Sequence, residues 1–469
     1  MQGGFFMKIP RILFAAGASG SGKTLITCGF LQALVNRGMR PASFKCGPDY
    51  IDPMFHSRVI GTKSRNLDTF FTSKEMTRYL LGENAEDCDL AVMEGVMGYY
   101  DGVGGNTSKA SAYDLADTTD TPVILIVNSK GMSVSLAAYI KGFLEFQENS
   151  HIKGVIFNQM SPMLYPRMKA LVEEALPVQV LGYVPKVEDC TIESRHLGLV
   201  LPEEIEGLKE RLLRLSEILE KTLDINRILA LAEEAGEFSV SENCLKEKEA
   251  YAYKSPRPLR IGVAKDEAFC FFYEDNFRLL KSMGAELVWF SPIHDKKLPE
   301  NLDGLLLYGG YPELYAETLE KNSSMRSEVK EAIKGGMPCL AECGGFLYLH
   351  EELEDMEGIP HKMAGIIEGK AYHTGKLGRF GYISLKQQRE VLGEKELGEI
   401  PAHEFHYFDS PHCGEDFYAE KPGGKRGWNC IQGGKRLMAG FPHLYYYGNP
   451  EVPKAFLKQC LEYSEGRER

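Results

Sequence analysis

The run Gly17-Ala18-Ser19-Gly20-Ser21-Gly22-Lys23-Thr24 satisfies G-x-x-x-x-G-K-[ST] at every defined position. It follows an aliphatic stretch at 12–16 and opens a helical pattern at 25–36, so strand, phosphate loop and helix are expected in that order. The loop's chemistry demands that arrangement. Small residues let successive backbone N–H groups face phosphate oxygens, the helix N-terminus adds positive potential, Lys23 meets the β/γ oxygens, and Thr24 can ligate Mg²⁺. Further aliphatic runs at 90–93, 123–127 and 155–157 continue the rhythm of a parallel sheet with crossover helices.

At 469 residues the chain is too long for one core, because a typical domain has about 150. Ile205, Leu208, Leu212, Leu215, Leu219 and Leu223 recur at helical spacing, and the hydrophobic pattern then fails. A second alternating series follows, with candidate buried strands at 261–264, 287–290, 305–308 and 339–341. The expected organisation is an α/β domain at 8–235, a linker at 236–257 and a second α/β domain at 258–469. No internal repeat connects the halves. Residues 1–8 have no apolar stretch of signal-peptide length and are expected to be a frayed leader. With 43% hydrophobic and 26% charged residues the chain can bury enough surface to fold. Its 66 acidic and 54 basic side chains give a net charge of −12, so nothing draws the whole molecule to nucleic acid or anionic lipid, and neither is an expected partner. Eleven cysteines without a C-x-x-C pair exclude a zinc knuckle and fit reduced thiols in a cytoplasmic protein. No apolar run approaches the roughly 20 residues of a membrane span.

A magnesium–phosphate centre needs carboxylates beyond the loop. Asp49 and Asp52, in Gly47-Pro48-Asp49-Tyr50-Ile51-Asp52-Pro53, stand on a turn after a short strand. Glu94 closes another strand, and Asp101 follows in Tyr100-Asp101-Gly102. Glutamate at 94, where motor-type ATPases usually carry aspartate, favours a carboxylate-activating ligase.

In the second half, Pro338-Cys339-Leu340-Ala341-Glu342-Cys343-Gly344-Gly345-Phe346 has the pattern of a strand, a tight turn and a helix start. Such a nucleophile elbow exposes Cys343, and the helix N-terminus is expected to lower its thiol pKa. A thiol nucleophile needs a proton-shuttling base. His443, after a strand-like stretch, is the first choice, with His403, His406 and His373 as alternatives. The glycine turn Tyr308-Gly309-Gly310-Tyr311-Pro312 could offer backbone N–H groups to an oxyanion, Gly310 together with Gly344.

A phosphate loop in one half and a cysteine elbow in the other suggest ammonia made at one site and consumed at a second. The pairing resembles the glutamine-dependent cobyrinate a,c-diamide synthases of corrin-ring biosynthesis. Phe44-Lys45-Cys46-Gly47-Pro48-Asp49-Tyr50-Ile51-Asp52-Pro53, Ser64-Arg65-Asn66-Leu67-Asp68, Glu94 to Gly102, Ser194-Arg195-His196-Leu197-Gly198-Leu199, Ala341 to Gly345 and His403-Glu404-Phe405-His406-Tyr407 carry the likeness. It implies a P-loop NTPase domain of the dethiobiotin-synthetase type followed by a class I, flavodoxin-like glutamine amidotransferase domain. It also implies ATP, Mg²⁺, L-glutamine and cobyrinic acid as ligands, Cys343 as nucleophile with His443 as its partner, and an acyl phosphate that ammonia displaces. Gly17, Ser19, Gly20, Ser21, Gly22, Lys23 and Thr24 would hold ATP, and Thr24, Asp49 and Glu94 the metal. Lys45, Arg58, Arg65, Arg195 and His196 are candidates for the substrate's carboxylates. Asp52 and Asp101 are candidates for orienting substrate or protecting the intermediate, and His403, Glu404 and His406 for lining the corrinoid site. Two departures from the commoner amidotransferase pattern stand out. Ala341 replaces the first elbow glycine, and Leu444-Tyr445 follow His443 where Pro-Glu is usual, which removes the orienting carboxylate at that spacing. The competing readings are the same chemistry on hydrogenobyrinate or nickel sirohydrochlorin, and a P-loop partitioning or regulatory ATPase.

Overall fold

Seven segments of the first half, most of them aliphatic, pair as one parallel sheet: β2 (Arg11–Ala16), β3 (Pro41–Cys46), β4 (Lys63–Leu67), β5 (Leu90–Glu94), β6 (Val123–Asn128), β7 (Ile152–Asn158) and β8 (Gln179–Val184). Their order is β4-β3-β5-β2-β6-β7-β8. β2, β3 and β5 are buried throughout, as strands covered on both faces must be; β2 and β5 accordingly read as near-continuous apolar runs, whereas β3 carries Ser43 and Lys45. The chain winds outward from β2 in both directions, so the carboxyl ends of β2, β3 and β5 border the crevice where open α/β sheets bind ligands.

This computed structural model describes residues 5–187, 194–195, 198–199, 202, 205–240 and 253–467, which form two compact units divided at 245/246. In the first unit, α1 (Lys23–Asn36) is buried along most of its length and packs against helix Leu208–Thr222. The amphipathic region breaks at Leu223, and Asp224 caps the next helix, Ile225–Glu233, by accepting from the Arg227 N–H at 2.9 Å.

β1 (Phe5–Met7), within the expected frayed leader, pairs antiparallel with β11 (Phe238–Val240), within the expected linker. Phe238 and Val240 are buried while Ser239 is exposed, and the Arg11 guanidinium lies 4.9 Å from the Phe238 ring centroid. Burying one such aromatic is worth about 2 kcal/mol, enough to hold a short strand against the domain. A short antiparallel pair joins β9 (Ser194–Arg195) to β10 (Gly198–Leu199). His196 lies outside the described residues.

The second unit is built on β12 (Leu259–Ala264), β13 (Ala285–Phe290), β14 (Gly304–Leu307), β15 (Cys339–Glu342), β24 (Gln432–Gly433) and β25 (Leu437–Gly440), in the order β13-β12-β14-β15-β25-β24. All pairs are parallel except the edge strand β24. The excursion between β15 and β24, joined by one strand that follows β25, builds two antiparallel-rich sheets. One orders β17 (Pro360–Lys362), β16 (His350–Glu354), β18 (Ile367–His373) and β21 (Phe408–Asp409). The other orders β23 (Gly427–Cys430), β22 (Phe417–Glu420), β19 (Phe380–Gln387), β20 (Ile400–Phe405) and β26 (His443–Leu444). Among the described residues no helix is long and apolar enough to cross a membrane.

Candidate active sites

The phosphate loop leaves β2 and enters α1 through Gly22, whose φ of 91° is left-handed and favours glycine. Asn158, ending β7, supports the loop by donating its side-chain N–H to Ser21 O at 2.8 Å. Ala18, Ser19 and Gly20 are exposed, whereas Lys23 is buried and donates to Met97 O at 2.6 Å and Ala18 O at 3.1 Å. Thr24 Oγ1 donates to Glu94 Oε1 at 2.6 Å and contacts Asp52 Oδ2 at 3.2 Å. The Lys45 ammonium pairs with Asp52 and, at 2.9 Å, with Glu94 Oε1. Three strand ends and the turn after β3 thus bring one hydroxyl, two carboxylates and two lysines together.

The charges are strongly coupled. Burial opposes ionisation of Glu94, but Lys45, His56 and Thr24 prevail and hold its carboxyl well below the usual range. Burial, with Asp49 and Glu94 adding, pushes Asp52 well above it. Burial likewise opposes the charge on Lys45, yet Asp52, Glu94 and Asp49 keep that ammonium protonated well above its ordinary pKa.

Asp49 is placed differently from the sequence expectation. Its Oδ1 accepts the backbone N–H groups of Ile51 at 2.9 Å and Asp52 at 3.1 Å, capping α2 (Ile51–Met54). Asp52, rather than Asp49, shares Thr24 with Glu94. Asp101 is exposed, accepts the Gly98 N–H at 3.0 Å, and its charge bears on Lys23. Arg65, on β4, donates to Ser64 O at 2.6 Å, and Arg58 is exposed. Only the backbone of Arg195 is described. A residue missed from the sequence is His56, fully buried on the π-helical turn Phe55–Val59, with Nε2 3.2 Å from Glu94 Oε2. Its spacing of four from Asp52 put both on one face, a signal available beforehand.

Lys23 has a measurable signature. Burial, with Lys45 adding, lowers its pKa to about 8. Below that pH the ammonium is already formed; above it, binding a phosphate anion requires proton uptake. ATP affinity should therefore be flat up to about pH 8 and weaken by up to about tenfold per unit above it. Calorimetry across that interval tests this, and an affinity unchanged to about pH 9.5 would contradict the assigned environment of Lys23.

In the second unit, Cys343 sits between β15 and the helix Gly344–Tyr348 with φ 45° and ψ −101°, a sparsely populated conformation for a side-chain-bearing residue. Strain of about 1–3 kcal/mol persists only where neighbours enforce it. Here the Cys343 N–H donates to Gly440 O at 2.8 Å, and Cys343 O accepts the Leu347 N–H at 2.9 Å. The expected lowering of the thiol pKa is not found. Burial pushes the Cys343 thiol up, with the Glu313 and Glu404 charges adding, and the Gly344 N–H only partly opposes them. The five-residue helix is too short to supply much dipole. The resting thiol therefore requires a base.

His443, opening β26, pairs in register with His403 of β20. It approaches the turn after β14 so closely that a Cβ on Gly309 would lie 2.4 Å from its Cε1, a contact only glycine permits. The same turn reaches the elbow, since a Cβ on Gly344 would lie 2.9 Å from Gly310 N. The elbow, the Gly309-Gly310 turn and His443 thus meet at the carboxyl end of the second sheet. Burial, with His406 adding, lowers His443 to about 3, and burial pushes His403 well below its usual range, so both imidazoles rest neutral. His403, Glu404 and His406 are buried rather than on an exposed polar edge. His406 stacks on Phe441 at 3.9 Å between centroids, and Glu404 lies 3.3 Å from Trp428 Nε1. His373 is placed elsewhere, against Phe408 at 5.2 Å between ring centroids.

Two family models match. Residues 12–200 match a CobQ/CobB/MinD/ParA nucleotide binding domain and residues 260–446 a CobB/CobQ-like glutamine amidotransferase domain. The cobyrinate a,c-diamide synthase of Caldanaerobacter subterraneus subsp. tengcongensis is 36% identical over 459 residues, spanning 97% of this chain and 99% of that protein. The chain belongs to the cobyrinate a,c-diamide synthase family. Members from Thermoplasma volcanium (36% identical, 98% of this chain, 100% of that protein) and Clostridium tetani (38%, 96% and 100%) extend the likeness over the same length. The family's pairing of a nucleotide-binding domain with an amidotransferase domain is the pairing of the two sites described above.

Proposed function

We propose that this chain uses ATP and glutamine to convert the a- and c-acetate carboxylates of cobyrinic acid to amides. The observation that carries the reading is near-full-length identity to cobyrinate a,c-diamide synthases in a chain with an intact phosphate loop and a strained cysteine elbow.

At the elbow, Cys343 Sγ attacks the glutamine side-chain carbonyl while His443 takes the thiol proton and delivers it to the departing nitrogen. The S–C bond forms, the C–N bond breaks, ammonia leaves, and water then releases glutamate from the thioester. Backbone N–H groups at Gly310 and Gly344 are the candidates to receive the oxyanion. In the first unit, a corrinoid carboxylate attacks the ATP γ-phosphorus, the bond to the β,γ-bridging oxygen breaks and ADP leaves, while Lys23 stabilises charge on the transferring group. Ammonia displaces phosphate from the resulting acyl phosphate.

Mg²⁺ fits the first site. Among the described residues no three or more Cys, His, Asp or Glu side chains form a metal cage. Magnesium needs none, because it binds a few protein oxygens beside phosphate and water. Thr24, Asp52 and Glu94 form an all-oxygen set that would hold it, and the bound ion would neutralise phosphate charge. Asp49 serves by capping the turn that presents Asp52. With Lys45 engaged by Asp52 and Glu94, Arg65, Arg195 and His196 remain the candidates for substrate carboxylates, and Asp101 for guarding the intermediate beside Lys23.

The test is product mass. With ATP and glutamine, cobyrinic acid should lose one mass unit for each of two hydroxyls replaced by amino groups. Parallel incubations with hydrogenobyrinic acid and nickel sirohydrochlorin fix the substrate. Unchanged cobyrinic acid with conversion of either of the others would overturn the assignment.

A further inference from the structure

His443 lacks the carboxylate that the commoner amidotransferase pattern supplies two residues downstream, since Tyr445 occupies that position and its hydroxyl donates to Asp275 at 2.9 Å. Another carboxylate stands close. Glu342, the last residue of β15, has Oε2 3.8 Å from His443 Nδ1, and both side chains are almost wholly buried. The pairing of β15 with β25 sets Glu342 opposite Gly440, and the chain then turns through Phe441-Pro442 to present His443. One strand end thus carries the nucleophile and, directly before it, an acid aimed at the nucleophile's base.

From this juxtaposition we infer that Glu342 is the positioning residue of the glutaminase site: its carboxyl accepts a hydrogen bond from His443 Nδ1–H, leaving Nε2 as the base for Cys343. The inference rests on the glutaminase reading of Cys343 and His443.

Three observations support it. The Glu342 carboxyl accepts the Leu444 N–H, yet its Oε1 is buried without a hydrogen-bond partner among the described residues, an arrangement that structural carboxylates avoid. Glu342 lies on the strand rather than on the mobile side of a loop, so its place is fixed by the sheet. The separation of 3.8 Å is ion-pair reach but longer than a hydrogen bond, as is common in catalytic pairs that tighten when substrate arrives. Burial raises the Glu342 carboxyl well above its ordinary range, and Oε2 can accept Nδ1–H whether or not the group is ionised. When His443 takes the thiol proton, the Glu342 carboxyl keeps the hydrogen bond from Nδ1–H and so holds the imidazolium in place. The titratable groups around the pair are Cys343, Tyr308 and Tyr446 on the glutamate side, and His403 and His406 on the histidine side.

The experiment compares full-length Glu342→Gln and Glu342→Asp with the parent in glutaminase turnover and in amidation driven by ammonium salt. Glu342→Gln should lower glutaminase kcat about 100-fold with KM within about threefold, ammonium-driven amidation should stay near parental, and Glu342→Asp should recover part of the loss. A Glu342→Gln kcat within about threefold of parental overturns the inference. Heavy-nitrogen NMR of the unsubstituted protein tests it without relying on a variant's folding. The His443 signals, identified by their loss in His443→Asn, should show a protonated Nδ1, and an Nε2–H tautomer overturns the inference. Cys343→Ala assayed alongside separates the two levels. If it is inactive while Glu342→Gln is active, only the role of Glu342 fails; if it retains glutaminase activity, the glutaminase reading itself fails.

Discussion

Cys343→Ala should lower glutamine-dependent amidation by about 1000-fold or more while ammonium-driven amidation stays within about twofold of parental. The size follows from what the sulfur does. On the proposed mechanism it forms the thioester, and its removal takes away the covalent route to ammonia. The selectivity follows from the location: the residue belongs to the second unit, whereas the groups that bind and activate phosphate belong to the first. Folding should tolerate the change, because alanine keeps the backbone contacts to Gly440 and Leu347 that hold the elbow and removes a single buried atom. The check is a pair of steady-state assays on one preparation, with glutamine and then ammonium salt as nitrogen source. Undiminished glutamine-dependent turnover would remove Cys343 from the chemistry.

Lys23→Ala should have the opposite selectivity, abolishing amidation with both nitrogen sources, by about 1000-fold or more, while glutaminase activity persists. Lys23 is buried beside Thr24 and in the field of Lys45, Glu94 and Asp52, so it is held where phosphate charge must be met. The neighbouring Lys45 does not replace it, being engaged by Asp52 and Glu94. Retained ammonium-driven turnover would show that charge on the transferring phosphoryl group is stabilised elsewhere.

These opposed outcomes rest on features of unequal legibility in the sequence. The phosphate loop was readable because its chemistry is contiguous: strand, glycines, Lys23 and Thr24 adjoin, and the structure places them at the end of β2 as that order requires. The choice between Asp49 and Asp52 was not readable, since it depends on which carboxylate caps the short helix and which turns toward Thr24. Glu342 was overlooked for a related reason. Its relation to His443 is created by a parallel strand pair that joins distant stretches of chain, and no local spacing records such a contact. The thiol environment was misjudged because burial opposes the helix terminus, and only packing reveals how complete that burial is. Strands such as β19, half-exposed and mixed in pattern, lack the apolar runs that identified the parallel sheets, so the antiparallel part of the second unit stayed hidden.

Glutamine nitrogen should displace phosphate from an activated corrinoid carboxylate. The most direct test of this supplies glutamine with a heavy-nitrogen amide and cobyrinic acid with heavy-oxygen carboxylates, then weighs both the corrinoid and the inorganic phosphate. The corrinoid should carry two heavy nitrogens and, for each amide formed, one heavy oxygen should appear in phosphate. Amide formation with unlabelled phosphate, or a corrinoid whose carboxylates are unchanged while ATP and glutamine are consumed, would contradict it.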